Sequence, residues 1–157
     1  MATHFLLLVD GWRPVSTTYP MKTYAETLAF AAKKHAGHMR RDGSNYIIHP
    51  IRVSQEVKTP IQKIIALLHD TLEDTETTYM EILEEFGPEV VQAVEALTKR
   101  KDEPYMDYIL RVKQNPDAVA VKIADIADNL SDAPSDKQIR KSSEAITFLT
   151  FEPPLGQ

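Results

Sequence analysis

The sequence predicts an all-α protein, and three observations carry that prediction. Apolar residues recur three and four positions apart from Met21 to about residue 150. Prolines and Ser/Thr caps stand where those apolar faces begin, and glycines stand where some of them stop. No stretch alternates apolar and polar residues for the length of a strand, and no internal repeat or low-complexity tract interrupts the pattern.

Residues 1–20 are the least legible part of the chain. "HFLLLVDGW" reads as a short strand or an extended segment laid over the core, "RPVSTTYP" as a linker, and His4 as incidental. A first helix starts near Met21, with Tyr24, Leu28, Ala31 and His35 on one face and Gly37 as its stop. His35 on that face reads as a satisfied core histidine or a support for a ligand, and His38, past the stop, as exposed. "MRRDGSNYI" is a loop, after which Pro50 opens a helix over 51–58.

Thr59-Pro60 starts the next helix, whose apolar face is Ile61, Ile64, Ile65, Leu68 and Leu72. Thr78 and Glu81 form a capping-box pattern ahead of Tyr79, Ile82, Leu83 and Phe86. Gly87 ends that helix and Pro88 begins another, faced by Val90, Val91, Val94 and Leu97. Pro104 opens a helix through Lys113. "NPDAVAVKIADIADNL" presents Val119, Ile123, Ile126 and Leu130, and a last helix covers about 135–150 before the Pro-Pro tail.

The 157 residues suffice for one domain with a real core, and 43% apolar with 26% charged residues is a globular composition. The absence of cysteine excludes disulfides, thiolate metal sites and a cysteine nucleophile, in keeping with a reducing compartment. No segment approaches the roughly 20 apolar residues that span a bilayer. "FLLLV" is too short for a signal peptide, so the expected location is cytoplasmic. A net charge of −5 argues against broad DNA or RNA binding. Lys33-Lys34 and Arg40-Arg41 nonetheless concentrate positive charge in one region, although alone they read as solvated basic pairs.

The chemistry gathers in "LLHDTLEDTET", residues 67–77, which sets His69, Asp70, Glu73, Asp74 and Glu76 against the apolar run. On a continuous helix His69 stacks with Glu73 and Asp70 with Asp74. Carboxylates this close resist ionising unless a cation compensates, and imidazole with carboxylate suits Mn²⁺, Fe²⁺ or Zn²⁺. A solvated helix end explains Glu73, Asp74 and Glu76 equally well, but not His69-Asp70 directly after "IIALL". His49 in "YIIHP" is the best further ligand, and on position alone it is as readily incidental. Asp125, with Lys122 at i−3 and Asn129 at i+4, reads either as a site carboxylate or as part of a helix-surface pair.

His49, His69-Asp70 and Asp125 together resemble the H…HD…D metal signature of the HD phosphohydrolase superfamily. "AAKKHAGHMRRDGSNYIIHPIRV", "ALLHDTLEDTETTYMEILEEFGPEVVQAVEALTK" and "VKIADIADNL" narrow the resemblance to the hydrolase domain of RelA/SpoT homologues, nearest to stand-alone small alarmone hydrolases such as the metazoan SpoT homologue. It covers about residues 22–132.

The resemblance implies an HD-domain helical bundle over 21–150, preceded by an N-terminal extension (1–20) and followed by a tail (151–157). It places metal ligands on His49, His69, Asp70 and Asp125, with one Mn²⁺ or another divalent ion per site. It places the hydrolytic pair on Glu73 and Asp74, and nucleotide contacts on Arg40, Arg41 and Asn129, with Lys122 able to touch an anionic ligand. The implied reaction removes the 3′-pyrophosphate of ppGpp or pppGpp, giving GDP or GTP and pyrophosphate. The alternatives are another nucleotide in the same site (a phosphorylated adenosine alarmone or NADPH) or an antitoxin-type partner of a small alarmone synthetase. The expected partner is a guanine-nucleotide alarmone, with a synthetase or a second copy of the chain as further candidates.

With the chain ending soon after the hydrolase pattern, no synthetase domain is expected. The chain departs from the family in three places. The Gln55–Gln62 connection is trimmed, the two ends match no motif, and Asp128 stands where members commonly carry a histidine or an aromatic. An aspartate there is expected to add negative charge near the phosphates and so to weaken binding or shift substrate preference.

Overall fold

In a computed structural model, Tyr19 and residues 21–152 are described. The readings made above for "HFLLLVDGW", His4 and most of the tail lie outside those residues. Among the described residues nine helices follow one another: α1 (Tyr24–Lys34), α2 (Ile48–Glu56), α3 (Pro60–Leu68), α4 (Thr71–Asp74), α5 (Tyr79–Phe86), α6 (Pro88–Leu97), α7 (Tyr105–Lys113), α8 (Pro116–Leu130) and α9 (Asp136–Thr150). Among the described residues there is no strand, only an isolated bridge between Met39 and Asn45.

The punctuation acts as the sequence predicts. Thr59 caps α3 through a full capping box with Gln62, and Pro60 takes the first turn, where its missing N–H costs nothing. Gly87 at φ +85° both ends α5 and starts α6. A Cβ there would stand 3.0 Å from Tyr19 Cβ, so glycine is required by conformation and by space. Asn115 and Ser135 cap α8 and α9. The Thr78–Glu81 box is only half made: the Thr78 hydroxyl accepts the Glu81 N–H, but the Glu81 carboxylate pairs with Lys34 at 2.6 Å instead. The second helix begins at Ile48 rather than beyond Pro50, which sits inside its first turn.

α3 is the hub. Ile64 through Leu68 are all buried, and the helix packs against α1, α2, α6 and α8. Full burial of each such side chain is worth about 1.5–3 kcal/mol. Val53, Ile82, Val91, Val94, Ile109, Val112 and Val121 complete the core from the surrounding helices.

One expectation needs correction. "LLHDTLEDTET" is not a continuous helix: α3 stops at Leu68, His69 and Asp70 form a turn, and α4 is a separate short helix. No glycine or proline makes the break. Side chains take over the last carbonyls of α3, His69 Nδ1–H donating to Ala66 O at 2.7 Å and the Thr71 hydroxyl to Leu68 O at 2.7 Å. Freed from helical register, His69 is directed into the bundle.

Candidate active site

Four ligand-type side chains converge where α2, the α3–α4 turn and α8 meet. His49, His69 and Asp70 each offer an atom within 4.8 Å of the others. Asp125 Oδ1 stands 3.0 Å from His49 Nε2 and 3.7 Å from His69 Nε2. Asp70 Oδ2 stands 2.9 Å from His69 Nε2 and 3.7 Å from His49 Nε2. His49, His69 and Asp125 are buried and Asp70 is half-buried.

Both imidazoles are set the same way. The Ala66 carbonyl fixes the proton on His69 Nδ1, and the Asp128 carboxylate accepts from His49 Nδ1 at 2.6 Å. Each ring therefore turns Nε2 to the common centre. His69 Nε2 is buried without a hydrogen-bond partner even though Asp70 Oδ2 is close, because the two are not aligned for one. Buried nitrogens and carboxylate oxygens aimed at one point rather than at each other are what a divalent cation requires, and the donor set of two imidazoles and two carboxylates suits one.

Burial alone would lower the His69 imidazole, but Asp70 and Asp125 raise it well above its ordinary value. Burial would raise Asp125, yet Lys122 Nζ, 2.7 Å from Oδ2, together with the two histidines holds it well below the usual carboxylate range. Asn129 donates to the other Asp125 oxygen at 2.7 Å. Lys122 is raised in turn: burial works against its charge and Asp125 overcomes it.

The acidic pair divides. Glu73 Oε2 accepts the Lys99 backbone N–H at 2.9 Å, which holds it beside the centre. Asp74 lies 3.5 Å from the Tyr46 hydroxyl, and its carboxyl is raised first by burial and then by Asp70 and Glu73. Tyr46 makes a short hydrogen bond to Asp70 Oδ2, and burial with that carboxylate keeps the phenol protonated.

Two connected cavities open from the centre. One of about 250 Å³ is lined by His69, Asp70, Glu73, Lys99 and Lys122. A larger one of about 430 Å³ is lined by residues including Arg40, Arg41, Tyr105, Asn129, Gln138 and Lys141. Its outer wall is α9, a helix whose sequence offered no motif. Lys141 Nζ sits 3.8 Å over the Tyr105 ring, and its ammonium is lowered by burial and then by Lys122, Lys99 and Lys137. The cleft is thus cationic although the chain as a whole is acidic.

The two arginines differ. Both line the larger cavity, but the Arg40 guanidinium is bound to Asp128 at 3.1 Å and Asp132 at 3.4 Å, whereas Arg41 is exposed. Asp128 is therefore paired with Arg40, which it shares with Asp132. Tyr46, Lys99, Tyr105 and Lys141 were not singled out from the sequence. Only Tyr46, three residues before His49 in a polar loop, carried any local signal.

A helical bundle with two histidines and two aspartates gathered at its buried centre is the architecture of an HD domain. The family model described as "HD domain" matches residues 27–146, and the chain belongs to that family. It is 42% identical over 113 residues to a guanosine-3′,5′-bis(diphosphate) 3′-pyrophosphohydrolase of Aquifex aeolicus, a match covering 64% of this chain and 16% of that protein. It is 41% identical over 120 residues to the human protein of the same description, MESH1, covering 68% of this chain and 67% of that one. A solved structure of a metazoan SpoT ortholog, described as hydrolysing ppGpp, superimposes with a TM-score of 0.73 at 27% identity, over 85% of this chain and 89% of the other. No helix among the described residues is long and apolar enough to cross a membrane.

Proposed function

We propose that the chain hydrolyses the 3′-pyrophosphate of a guanosine 3′,5′-bis(diphosphate), releasing pyrophosphate and the 5′-nucleotide, with a divalent ion and Mn²⁺ as the first choice. One observation carries the reading: two buried histidines clustered with Asp70 and Asp125 open directly into a lysine-lined cleft. The relatives described above act on this nucleotide and support the assignment.

In this reading His49, His69, Asp70 and Asp125 hold the ion. When bound, it lowers the pKa of water and withdraws charge from phosphoryl oxygens. Water oxygen bonds to the phosphorus carried by the 3′ oxygen, the P–O3′ bond breaks, and the 3′ oxygen leaves with a proton as pyrophosphate departs. Asp74, its carboxyl raised above its ordinary value by burial and by Asp70 and Glu73, is suited to receive the water proton, and Glu73, fixed by the Lys99 N–H, to orient the water. Lys99, Lys122 and Lys141 surround the space for phosphates. Arg41 and Asn129 contact the nucleotide from the larger cavity, and Arg40 braces its rim.

We assign residues 21–150 to the hydrolase domain and a cytoplasmic location. The test is incubation with ppGpp and Mn²⁺, with and without chelator, resolving GDP and pyrophosphate. Metal-dependent release of both is expected. Turnover that persists in chelator would overturn the metal-centred mechanism. An untouched ppGpp beside hydrolysis of NADPH or a phosphorylated adenosine nucleotide would overturn the substrate.

A further inference from the structure

Asp128 occupies a position that neither the proposed ligand set nor the nucleotide contacts explain. It lies one helical turn beyond Asp125 on α8, and its side chain is 8% exposed. Its Oδ2 accepts from two donors at once, His49 Nδ1 at 2.6 Å and Arg40 Nη1 at 3.1 Å. Arg40 in turn reaches Asp132 at 3.4 Å, and Arg52 approaches the second Asp128 oxygen at 3.9 Å. His49 follows a loop pinched by the Met39–Asn45 bridge, and the Arg40 N–H is tied across that loop to Ser44 O at 2.8 Å.

These contacts link the ring to the rim. The His49 ring has two nitrogens, and only one of them faces Asp70 and Asp125. A carboxylate behind the other holds the ring at one angle, keeps its proton on Nδ1 and increases the electron density of Nε2. Arg40 offsets the charge of that carboxylate, which is otherwise a buried anion near an anionic ligand.

We propose that Asp128 is the positioning residue of the metal centre, orienting His49 through Nδ1 and itself held in place by Arg40. This rests on His49 being a metal ligand, as in the function proposed above, but not on which nucleotide is hydrolysed. Arg40 then serves as the brace of a metal ligand, and Arg41 is left as the arginine available to substrate.

The test is Mn²⁺ affinity of the full chain, measured by calorimetry or by the electron spin resonance signal of free Mn²⁺, for wild type, Asp128→Ala, Asp128→Asn and Arg40→Gln. Asp128→Ala should bind Mn²⁺ about 10–100-fold more weakly, the range for loss of a carboxylate behind a ligating histidine. Asp128→Asn, which keeps an acceptor for Nδ1–H, should recover most of that loss. Arg40→Gln should fall between wild type and Asp128→Ala.

Wild-type affinity in Asp128→Ala, or equal loss in the Ala and Asn variants, overturns the positioning role. Wild-type affinity in Arg40→Gln overturns the part given to Arg40. A second readout needs no variant: long-range ¹H–¹⁵N spectra of the Zn²⁺-loaded wild type should show His49 protonated at Nδ1 and metallated at Nε2. Metal at Nδ1 would refute the proposal even if Asp128→Ala does not fold. Should metal binding behave as expected while ppGpp is not turned over, the substrate assignment fails and the role of Asp128 stands.

Discussion

Replacing Lys122 by Met removes an ammonium in contact with Asp125 while keeping the bulk of the side chain. In the wild type the two groups lie 2.7 Å apart, with the lysine side chain 15% exposed and the aspartate 7% exposed. Removing one partner of a buried pair costs about 3–5 kcal/mol, because the remaining charge is left uncompensated. His69 and Asn129 stay close to the carboxylate and replace part of the lost interaction. The metal-free variant is therefore expected at the lower end, near ~3 kcal/mol, or a melting point depressed by about 6–12 °C for a domain of this length.

A bound divalent ion supplies the missing positive charge, so the variant gains more from Mn²⁺ than the wild type does, and the gap narrows in the loaded state. Thermal melts followed by circular dichroism, with Mn²⁺ and with chelator, read both quantities. A chelated variant melting within about 1 °C of wild type would refute the assigned pairing. So would a gap that stays the same with and without metal.

Three further outcomes follow from the same geometry. Glu73→Gln and Asp74→Asn should each lower kcat by about 10²–10⁴-fold, the range for losing a group that moves or positions the proton, with Mn²⁺ affinity little changed. Kinetics together with a metal titration check this. Arg111 donates to both Glu103 oxygens and holds Glu103 at about 2 against an ordinary 4.5. Because the folded value is depressed, Glu103→Gln should cost roughly 1–2 kcal/mol above pH 4.5, an effect that vanishes as pH falls toward 2, as urea titrations at several pH values would show. Leu68→Ala, at a fully buried position one residue before the helix break, should cost about 2–5 kcal/mol, measured by urea unfolding of the chelated protein.

What was legible in the sequence was what short-range chemistry determines. Thr59-Pro60 and Gly87-Pro88 mark helix ends because a cap, a missing N–H or a positive φ acts within a few residues. The break at His69-Asp70 was not legible, since the groups ending α3 are an imidazole and a hydroxyl, side chains that also occur inside unbroken helices. The proposed ligand positions were suggested by polar residues set against apolar runs, and the family resemblance selected among them. Asp128 drew notice as a departure from the family, but its partners, His49 and Arg40, lie 79 and 88 residues away in sequence. Lys141 resembles any exposed helical lysine until α9 packs across the cleft and sets it over Tyr105.

That last helix also bears on how a product leaves. α9 packs chiefly on α7 and α8, buries only Ala145 and Leu149 fully, and ends under the Lys113 ammonium, which bonds the Phe148 and Phe151 carbonyls. Elements with so few buried side chains open at a fraction of the global unfolding cost. α9 carries Gln138, Lys141 and Ser142 of the cleft wall, whereas the four proposed ligands stand on other elements. Under the proposed function, local opening of this wall would free the cleft without disturbing the residues that would hold the ion.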